Sequence, residues 1–76
     1  MEINDFVKLF ADQFDETDAA VFTPETHFRD LDEWSSIVAL TLINAVIDEC
    51  GVQLKGNDIK SSNTIQDIYD IVKSRL

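Results

Sequence analysis

A long, mostly apolar segment bounded by serines and a glycine most constrains how this chain can fold. Residues 36–50 carry few polar side chains. Gly51 follows directly, and glycine is the residue that most readily ends a helix in the left-handed conformation. The sequence therefore predicts a long helix that begins at Ser35 or Ser36 and ends at about Cys50.

Polar residues of this segment are confined to Thr41, Asn44, Asp48 and Glu49, and the first three form one narrow stripe. Thr41, Asn44 and Asp48 are separated by three and four residues, which places them on one face of a helix. A surface helix of a small bundle usually has a wider polar face. One interpretation is that some apolar residues are exposed and form a docking surface, with three candidates: Ile37, Val38 and Ala45. The other is a central helix buried on most sides, and the two are compatible.

Three further helices are predicted around this segment. Apolar residues at helical spacing predict a first helix over residues 3–15. Residues 56–58 offer a turn and a cap for a short third helix. Thr64 and Asp67 match the capping-box pattern at the start of the last helix. We expect an all-α fold, a small four-helix bundle with three longer helices and one short helix, in a single domain over residues 1–76.

A connection over residues 16–35 joins the first two helices. Thr23 and Pro24 match a cap followed by proline at a first helical position, which predicts a single helical turn. Phe22 and Phe28 flank this turn, and we expect both to hold the loop against the core. A loop of about 20 residues is unusual in so small a domain, and long ordered loops are often functional.

Charge and composition exclude several classes of function. The net charge is −9, and twelve of the fifteen acidic residues lie in the first fifty positions. Such a surface repels nucleic acid and anionic membranes and steers basic proteins toward it, although it also serves solubility alone. No apolar run reaches the roughly 20 residues of a membrane span. The single cysteine excludes an internal disulfide and suits a reducing compartment. We expect a cytoplasmic monomer that binds no nucleic acid.

Two hydroxyl groups lie at the predicted start of the second helix, in the run Trp34-Ser35-Ser36-Ile37. A serine in this position can cap the helix. It can also carry a covalent group whose phosphate meets the free N–H groups of the first turn. Trp34 is either a core residue or an exposed contact for a partner protein, and the second interpretation is favoured.

Two other classes of site fit the polar residues poorly. A serine hydrolase needs a base beside its nucleophile, but the single histidine, His27, lies in a loop and no Gly-x-Ser-x-Gly motif is present. Asp30 and Asp32 begin like an EF-hand, but Trp34 and Ser35 replace its third ligand and its glycine. We expect a protein that is not an enzyme and holds no metal ion.

The order of these features resembles the acyl carrier protein family. The run Ser35-Ser36-Ile37 is similar to the family's Asp-Ser-Leu motif, which begins a second helix after a long first loop. Three further segments resemble the family's sequence before the motif, at the end of the second helix and at the start of the final helix: residues 26–31, 47–54 and 64–68. The resemblance extends over nearly the whole chain.

This resemblance implies that Ser36 carries 4'-phosphopantetheine as a phosphodiester. The thiol of that arm would hold acyl intermediates as thioesters and deliver them to enzymes of fatty acid, lipid or polyketide-type biosynthesis. The implied partners are a phosphopantetheinyl transferase and acyl-processing enzymes with basic surfaces. An apolar cleft between helices is a candidate shelter for the acyl chain.

One position departs from the family. Ser35 replaces an aspartate that helps the transferase to recognise the carrier, and Asp32 and Glu33 lie just upstream as candidates to substitute for it. The candidate residues for partner recognition are Asp32, Glu33, Trp34, Ser35, Ile37, Val38, Thr41, Asp48 and Glu49. The missing aspartate keeps an alternative open, a carrier-like helical module that docks onto partners and is never modified.

Overall fold

The computed structural model describes all 76 residues and contains four α-helices and no strand. The helices are α1 (Ile3–Ala11), α2 (Ser36–Cys50), α3 (Gly56–Lys60) and α4 (Ile65–Ser74). The predicted bundle of three longer helices and one short helix is confirmed. None of these helices combines the length and the apolar character that crossing a membrane requires.

Helix α2 begins and ends with caps that its own sequence supplies. The Ser35 hydroxyl accepts a hydrogen bond from the Val38 N–H at 3.3 Å, so Ser35 is the N-cap and Ser36 is the first helical residue. At the other end, Gly51 has a φ of 69° and donates its N–H to the Ile47 carbonyl at 2.9 Å. Glycine adopts this left-handed conformation at little cost, which explains why the helix stops there.

Helix α4 begins with the predicted capping box. The Thr64 hydroxyl accepts from the Asp67 N–H at 3.2 Å, and the Asp67 carboxylate accepts from the Thr64 N–H at 3.1 Å. Hydrogen bonds from the backbone N–H groups of Asn63 and Thr64 lower the pKa of the Asp67 carboxyl. Two further N–H groups of the first turn donate to loop carbonyls, those of Thr26 and Pro24. The free donors of α4 therefore hold the long loop in place.

Helix α1 is shorter than the predicted span of 3–15. It ends at Ala11, and the chain continues in tighter turns with i→i+3 hydrogen bonds that keep Phe14 buried. The N–H groups of Asp15 and Glu16 donate to a carboxylate on the far side of the loop instead of to helix carbonyls. The low helix propensity of aspartate favours this early end, and the carboxylate supplies acceptors for N–H groups that would otherwise continue the helix.

The loop between α1 and α2 spans residues 12–35 and is ordered by short turns. Two of these are 3₁₀ turns, at Ala19–Val21 and Phe28–Asp30. The helical turn predicted at Thr23 and Pro24 is instead a β-turn, in which the Thr26 N–H donates to the Thr23 carbonyl at 3.1 Å. Proline suits the second position of a β-turn as well as the first position of a helix, so the local sequence does not separate the two.

The core is built around a cluster of aromatic rings from α1 and the loop. Phe10 lies at its centre, with ring centroids 5.7 Å from Phe28 and 6.2 Å from Trp34. Phe22 and Phe28 are buried, which confirms that both hold the loop against the core. The other buried residues of this core are Phe6, Phe14, Leu42, Val46, Val52, Leu54, Ile59, Ile65, Ile68, Tyr69 and Val72.

Removing the central ring should destabilise the whole domain. Phe10 is fully buried, so Phe10→Ala should lower the free energy of unfolding by about 3–5 kcal/mol through lost contacts and a cavity. Val21 is 46% exposed, so Val21→Ala should change that free energy by no more than about 0.5 kcal/mol. Urea denaturation followed by circular dichroism measures both. Equal effects of the two substitutions would contradict this description of the core.

Candidate functional site

The hydroxyl group of Ser36 is exposed and makes no hydrogen bond within the chain. The backbone N–H groups of Ser36 and Ile37 also have no acceptor in the chain, because they precede the first hydrogen-bonded turn of α2. A phosphodiester on this hydroxyl would meet those donors and the positive end of the helix dipole. The start of α2 therefore has the geometry to bind a covalently attached phosphate.

Ser35 occupies the capping position without a charge. Serine and aspartate are about equally effective N-caps, so replacing one by the other preserves the start of the helix. The Ser35 hydroxyl is engaged by the Val38 N–H, and no acidic residue lies in the first turn of α2. The departure at Ser35 therefore changes the charge beside Ser36 and leaves the backbone geometry intact.

Trp34 packs into the aromatic core immediately before the two serines. Its ring lies edge-on to Phe28, with centroids 4.7 Å apart, and nearly parallel to Phe10, with an interplanar angle of 7°. The side chain is half-buried. The structure thus favours the core role over the exposed partner contact that the sequence suggested. Trp34 also anchors the start of α2 to the centre of the protein.

A groove of about 460 Å³ opens beside the two serines, between α2 and α3. Its lining combines apolar side chains with two cations at the edge: Trp34, Ser35, Ser36, Ala39, Leu40, Ile43, Gly56, Ile59, Arg29 and Lys60. Apolar grooves with a few polar groups at their edge are typical of sites for small molecules. Ser36 itself lines this groove, so a group attached to its oxygen would enter beside it.

A family model described as a phosphopantetheine attachment site matches residues 4–72. The chain belongs to this phosphopantetheine-binding family. Members of the family are carriers without catalytic activity that hold 4'-phosphopantetheine covalently, and they interact with a transferase and with acyl-processing enzymes. The curated proteins contain no match to the chain at a significant level.

The start of α2 fits 4'-phosphopantetheine on grounds that do not depend on the family. Ser36 presents a free, exposed hydroxyl for a phosphodiester, and unpaired backbone N–H groups lie beside it. The adjoining groove offers apolar walls for what the arm carries. In this carrier the expected attachment chemistry and the observed local geometry therefore agree.

Glu33 has an internal role in the carrier that the sequence did not reveal. Its carboxylate accepts hydrogen bonds from the Asp15 N–H at 2.8 Å, the Glu16 N–H at 3.0 Å and the Thr17 hydroxyl at 2.7 Å. The Thr17 hydroxyl, followed by the Asp15 N–H, lowers the pKa of the Glu33 carboxyl. This carboxylate therefore fastens the loop segment that follows α1 to the segment before Ser36, and of the adjacent pair Asp32 and Glu33 only Asp32 is exposed.

Helix α2 of the carrier exposes three large apolar side chains. Ile37 is 75% exposed, Leu40 61% and Ile47 37%. Of the predicted candidates, Ile37 is exposed, whereas Val38 and Ala45 are half-buried. Leu40 and Ile47 escaped prediction because their spacing equally suits positions that face the core. The exposed apolar surface therefore begins at Ile37, as predicted, but continues along one side of the helix through residues that were not predicted.

The residues predicted for partner recognition fall into two groups. The half-buried group packs against the core or within the loop and consists of Glu33, Trp34 and Val38. The exposed group consists of Asp32, Ser35, Ile37, Thr41, Asp48 and Glu49. Within it, Ile37, Thr41 and Asp48 lie on one helix face because four and seven residues separate them. The exposed group is the part of the prediction that a partner could contact directly.

A second hollow, of about 540 Å³, lies in the long loop and is acidic. Its lining residues are Glu16, Thr17, Val21, Asp30, Leu31, Asp32 and Glu33. Asp32 is exposed and lies four residues before Ser36. Acidic groups around a concave surface concentrate negative potential there, so the carrier presents its negative field beside the start of α2.

The Glu33 contacts should make stability depend on pH. The pKa of Glu33 in the folded chain lies below its usual 4.5, so the carboxylate stabilises the fold fully above about pH 4.5. This stabilisation is lost as the pH falls through the lowered pKa. Glu33→Gln should therefore lower the free energy of unfolding at pH 7 and flatten its decline below pH 4.5, as measured by urea denaturation at several pH values.

Glu25→Gln is the matched control, because it removes the same charge from the same loop. The Glu25 side chain is exposed and accepts no hydrogen bond. The control should follow the wild-type pH dependence below pH 4.5. Identical curves for Glu33→Gln and Glu25→Gln would contradict the role of the Glu33 carboxylate.

Proposed function

We propose that this carrier is modified at Ser36 and serves fatty acid, lipid or polyketide-type biosynthesis. The observation that supports this most directly is the division of labour between the adjacent serines. The Ser35 hydroxyl is occupied as the helix cap, whereas the Ser36 hydroxyl is free and exposed. Modification of Ser36 leaves the capping hydrogen bond untouched, whereas esterifying the Ser35 oxygen would weaken it as the acceptor for the Val38 N–H.

When bound, the 4'-phosphopantetheine arm supplies a thiol that holds the acyl group as a thioester. The chain itself contributes three things to this function. Ser36 provides the attachment oxygen, the first turn of α2 provides N–H groups for the phosphate, and the groove provides an apolar shelter beside the attachment point. No side chain of the protein takes part in the acyl chemistry.

Partner enzymes are proposed to dock on the exposed face of α2, guided by the acids of the loop. Ile37 and Leu40 offer apolar contacts, Asp32 precedes the start of α2 in the loop, and Asp48 lies near the end of the helix. Affinity for any single partner should be weak, because the carrier must leave after each step. Electrostatic attraction to basic surfaces compensates by speeding the encounters.

The carrier is proposed to act as a cytoplasmic monomer. Its only cysteine, Cys50, is unpaired and half-buried. Burial raises the pKa of the Cys50 thiol, which favours the unreactive protonated form. A reducing compartment suits a chain with one such cysteine.

A second candidate function is docking without modification. The observation that favours it is Ser35, which stands where carriers with a transferase-recognition acid have an aspartate. In that case α2 would still bind partners through Ile37 and Leu40, and Ser36 would be an ordinary first-turn residue. The two functions are distinguished by whether the chain gains mass when a transferase and coenzyme A are present.

Modification should require Ser36 and not Ser35. Incubation of the wild-type chain with a phosphopantetheinyl transferase and coenzyme A should add one 4'-phosphopantetheine, as measured by intact mass. Ser36→Ala should gain nothing because it lacks the attachment oxygen. Ser35→Ala should still be modified, although losing the cap should lower the free energy of unfolding by about 1 kcal/mol.

Two results of this experiment would contradict the proposal. If the wild-type chain gained no mass with any of several transferases, docking without modification would be favoured. If Ser35→Ala abolished the mass gain while Ser36→Ala retained it, the attachment site would be Ser35.

Asp32 should speed modification through electrostatic attraction. Asp32→Lys should reduce the rate of arm attachment, and the reduction should be larger at 0.01 M salt than at 1 M salt because the Debye length falls from about 30 Å to about 3 Å. Asp32 is the acid for this test because its carboxylate makes no internal hydrogen bond. Glu33→Lys is unsuitable for this test, because it would also remove the hydrogen bonds by which Glu33 holds the loop.

The control for this experiment is Glu2→Lys, which makes the same charge change at the other end of α2. Glu2 adjoins Met1, whose sulfur lies 3.7 Å from the Cys50 sulfur. The fifteen residues of α2 separate this end from Ser36 by about 22 Å, beyond the screening distance at moderate salt. At about 0.1 M salt, equal effects of both substitutions would contradict local steering by Asp32.

A further inference from the structure

We infer that Arg29 is a positioning residue, which holds α3 against the long loop and thereby sets the width of the groove beside Ser36. The part that concerns cargo rests on the proposed function, because the groove would receive what the arm carries. The part that concerns the contacts of Arg29 with α3 does not depend on the proposed function. Both parts rest on the Arg29 side chain, which joins the loop to the end of the shortest helix.

The Arg29 guanidinium binds the carboxyl-terminal end of α3 through several acceptors. It donates to the Ile59 carbonyl at 3.0 Å, to the Lys60 carbonyl at 3.5 Å and to the Ser62 carbonyl. It also donates to the Asn63 side-chain oxygen at 3.2 Å. Carbonyls at a helix end lack partners within the helix, and a cation is favourable there. One planar side chain therefore satisfies the end of α3.

The same guanidinium is fixed to the core on its other side. Its central carbon lies 5.0 Å from the ring centroid of Phe28, which is fully buried in the aromatic cluster. Arginine stacks on aromatic rings while its N–H groups remain available for hydrogen bonds. Arg29 therefore fixes the position of α3 relative to the aromatic core.

Helix α3 has few other contacts that could hold it in place. It contains five residues, and Ile59 is the only one that is buried. A helix this short is not stable by itself. Its amino-terminal end is held by Arg75, which donates two hydrogen bonds to the Asp58 carboxylate at 2.7 and 3.0 Å. An arginine therefore holds each end of α3.

Both ends of α3 line the groove, Gly56 at its start and Ile59 and Lys60 at the end that Arg29 holds. Arg29, Ile59 and Lys60 line it opposite the α2 residues Ala39 and Ile43. If the Arg29 contacts were lost, the carboxyl-terminal end of α3 would be held less firmly, and we expect the groove to widen there. The consequence is that Arg29 determines how closely the walls of the groove surround an acyl chain carried on an arm attached to Ser36.

The first test uses the unmodified chain and needs no cargo. The Ser61 and Ser62 N–H groups donate to the Asn57 and Ile59 carbonyls, so their hydrogen exchange reports on opening of α3. Arg29→Gln should accelerate this exchange about fivefold or more. Lys8→Gln removes the same charge from an exposed site on α1 with no side-chain hydrogen bond and should leave exchange unchanged.

Arg29→Lys separates positioning from charge alone. Lysine retains the positive charge but lacks the planar fork of donors, so exchange should fall between the wild type and Arg29→Gln. If Arg29→Gln prevents folding, Arg29→Lys decides the matter instead, because exchange faster than wild type supports the inference. Exchange at Ser61 and Ser62 equal to wild type in the folded variants overturns it.

The second test uses the chain loaded with an acetyl or an octanoyl thioester on the arm. Cleavage of each thioester by hydroxylamine measures how well the groove shelters it. In the wild type the octanoyl thioester should be cleaved more slowly than the acetyl thioester. Arg29→Gln should lower the ratio of the acetyl to the octanoyl cleavage rate by about fivefold and leave the acetyl rate unchanged. Lys8→Gln should keep the wild-type ratio.

The two tests distinguish failure of this inference from failure of the proposed function. If the wild-type chain cannot be loaded, the proposed function fails, while hydrogen exchange still tests the hold of Arg29 on α3. If the chain loads but Arg29→Gln changes neither exchange nor octanoyl protection, the positioning role is overturned and the carrier function stands. If exchange accelerates but octanoyl protection is unchanged, α3 does not set the groove width and the inference is overturned in that part.

Discussion

The packing of Trp34 against Phe10 and Phe28 is the contact on which the functional site depends. These rings come from α1, from the long loop and from the residue just before the two serines. Large aromatic side chains bury more apolar surface than any others, so they dominate the stability of a domain this small. Because Ser35 follows Trp34 directly, the aromatic core fixes where α2 begins. Ser36 therefore lies on a rigid helix terminus rather than on a mobile loop.

Charge is distributed so that each part of the carrier has a separate task. The acids of the long loop form a concave negative surface, yet the first turn of α2 contains no acid that would repel a phosphate. Glu33 lies beside Asp32 in this acidic segment, but its carboxylate accepts hydrogen bonds from the backbone N–H groups of residues 15 and 16. Two of the six basic residues, Arg29 and Lys60, lie at the groove instead. Local hydrogen bonding, more than net charge, decides what each of these groups does.

The features that the sequence predicted well are those determined by neighbouring residues. The end of α2 at Gly51 depends on one backbone conformation, and the start of α4 depends on Thr64 and Asp67, three positions apart. The choice between Ser35 and Ser36 as the cap needed the structure, because either hydroxyl satisfies the local pattern. The Ser35 hydrogen bond to Val38 decides which hydroxyl is left free.

The features that the sequence missed depend on contacts between distant residues. Helix α1 ends early, and the Asp15 N–H beyond it donates to the Glu33 carboxylate, eighteen positions away, instead of continuing the helix. Trp34 is held in the core by rings that no local pattern connects to it. Leu40 is exposed although its spacing suits the core, since α3 covers only part of α2. Such outcomes follow from packing and not from local propensity.

The central claim is that the arm is attached to the free hydroxyl and not to the capping one. Tandem mass spectrometry of the wild-type chain, modified with coenzyme A and digested with trypsin, locates the attachment within residues 30–55. We expect 4'-phosphopantetheine on Ser36 alone. Attachment to Ser35, or a fully unmodified peptide, would contradict it.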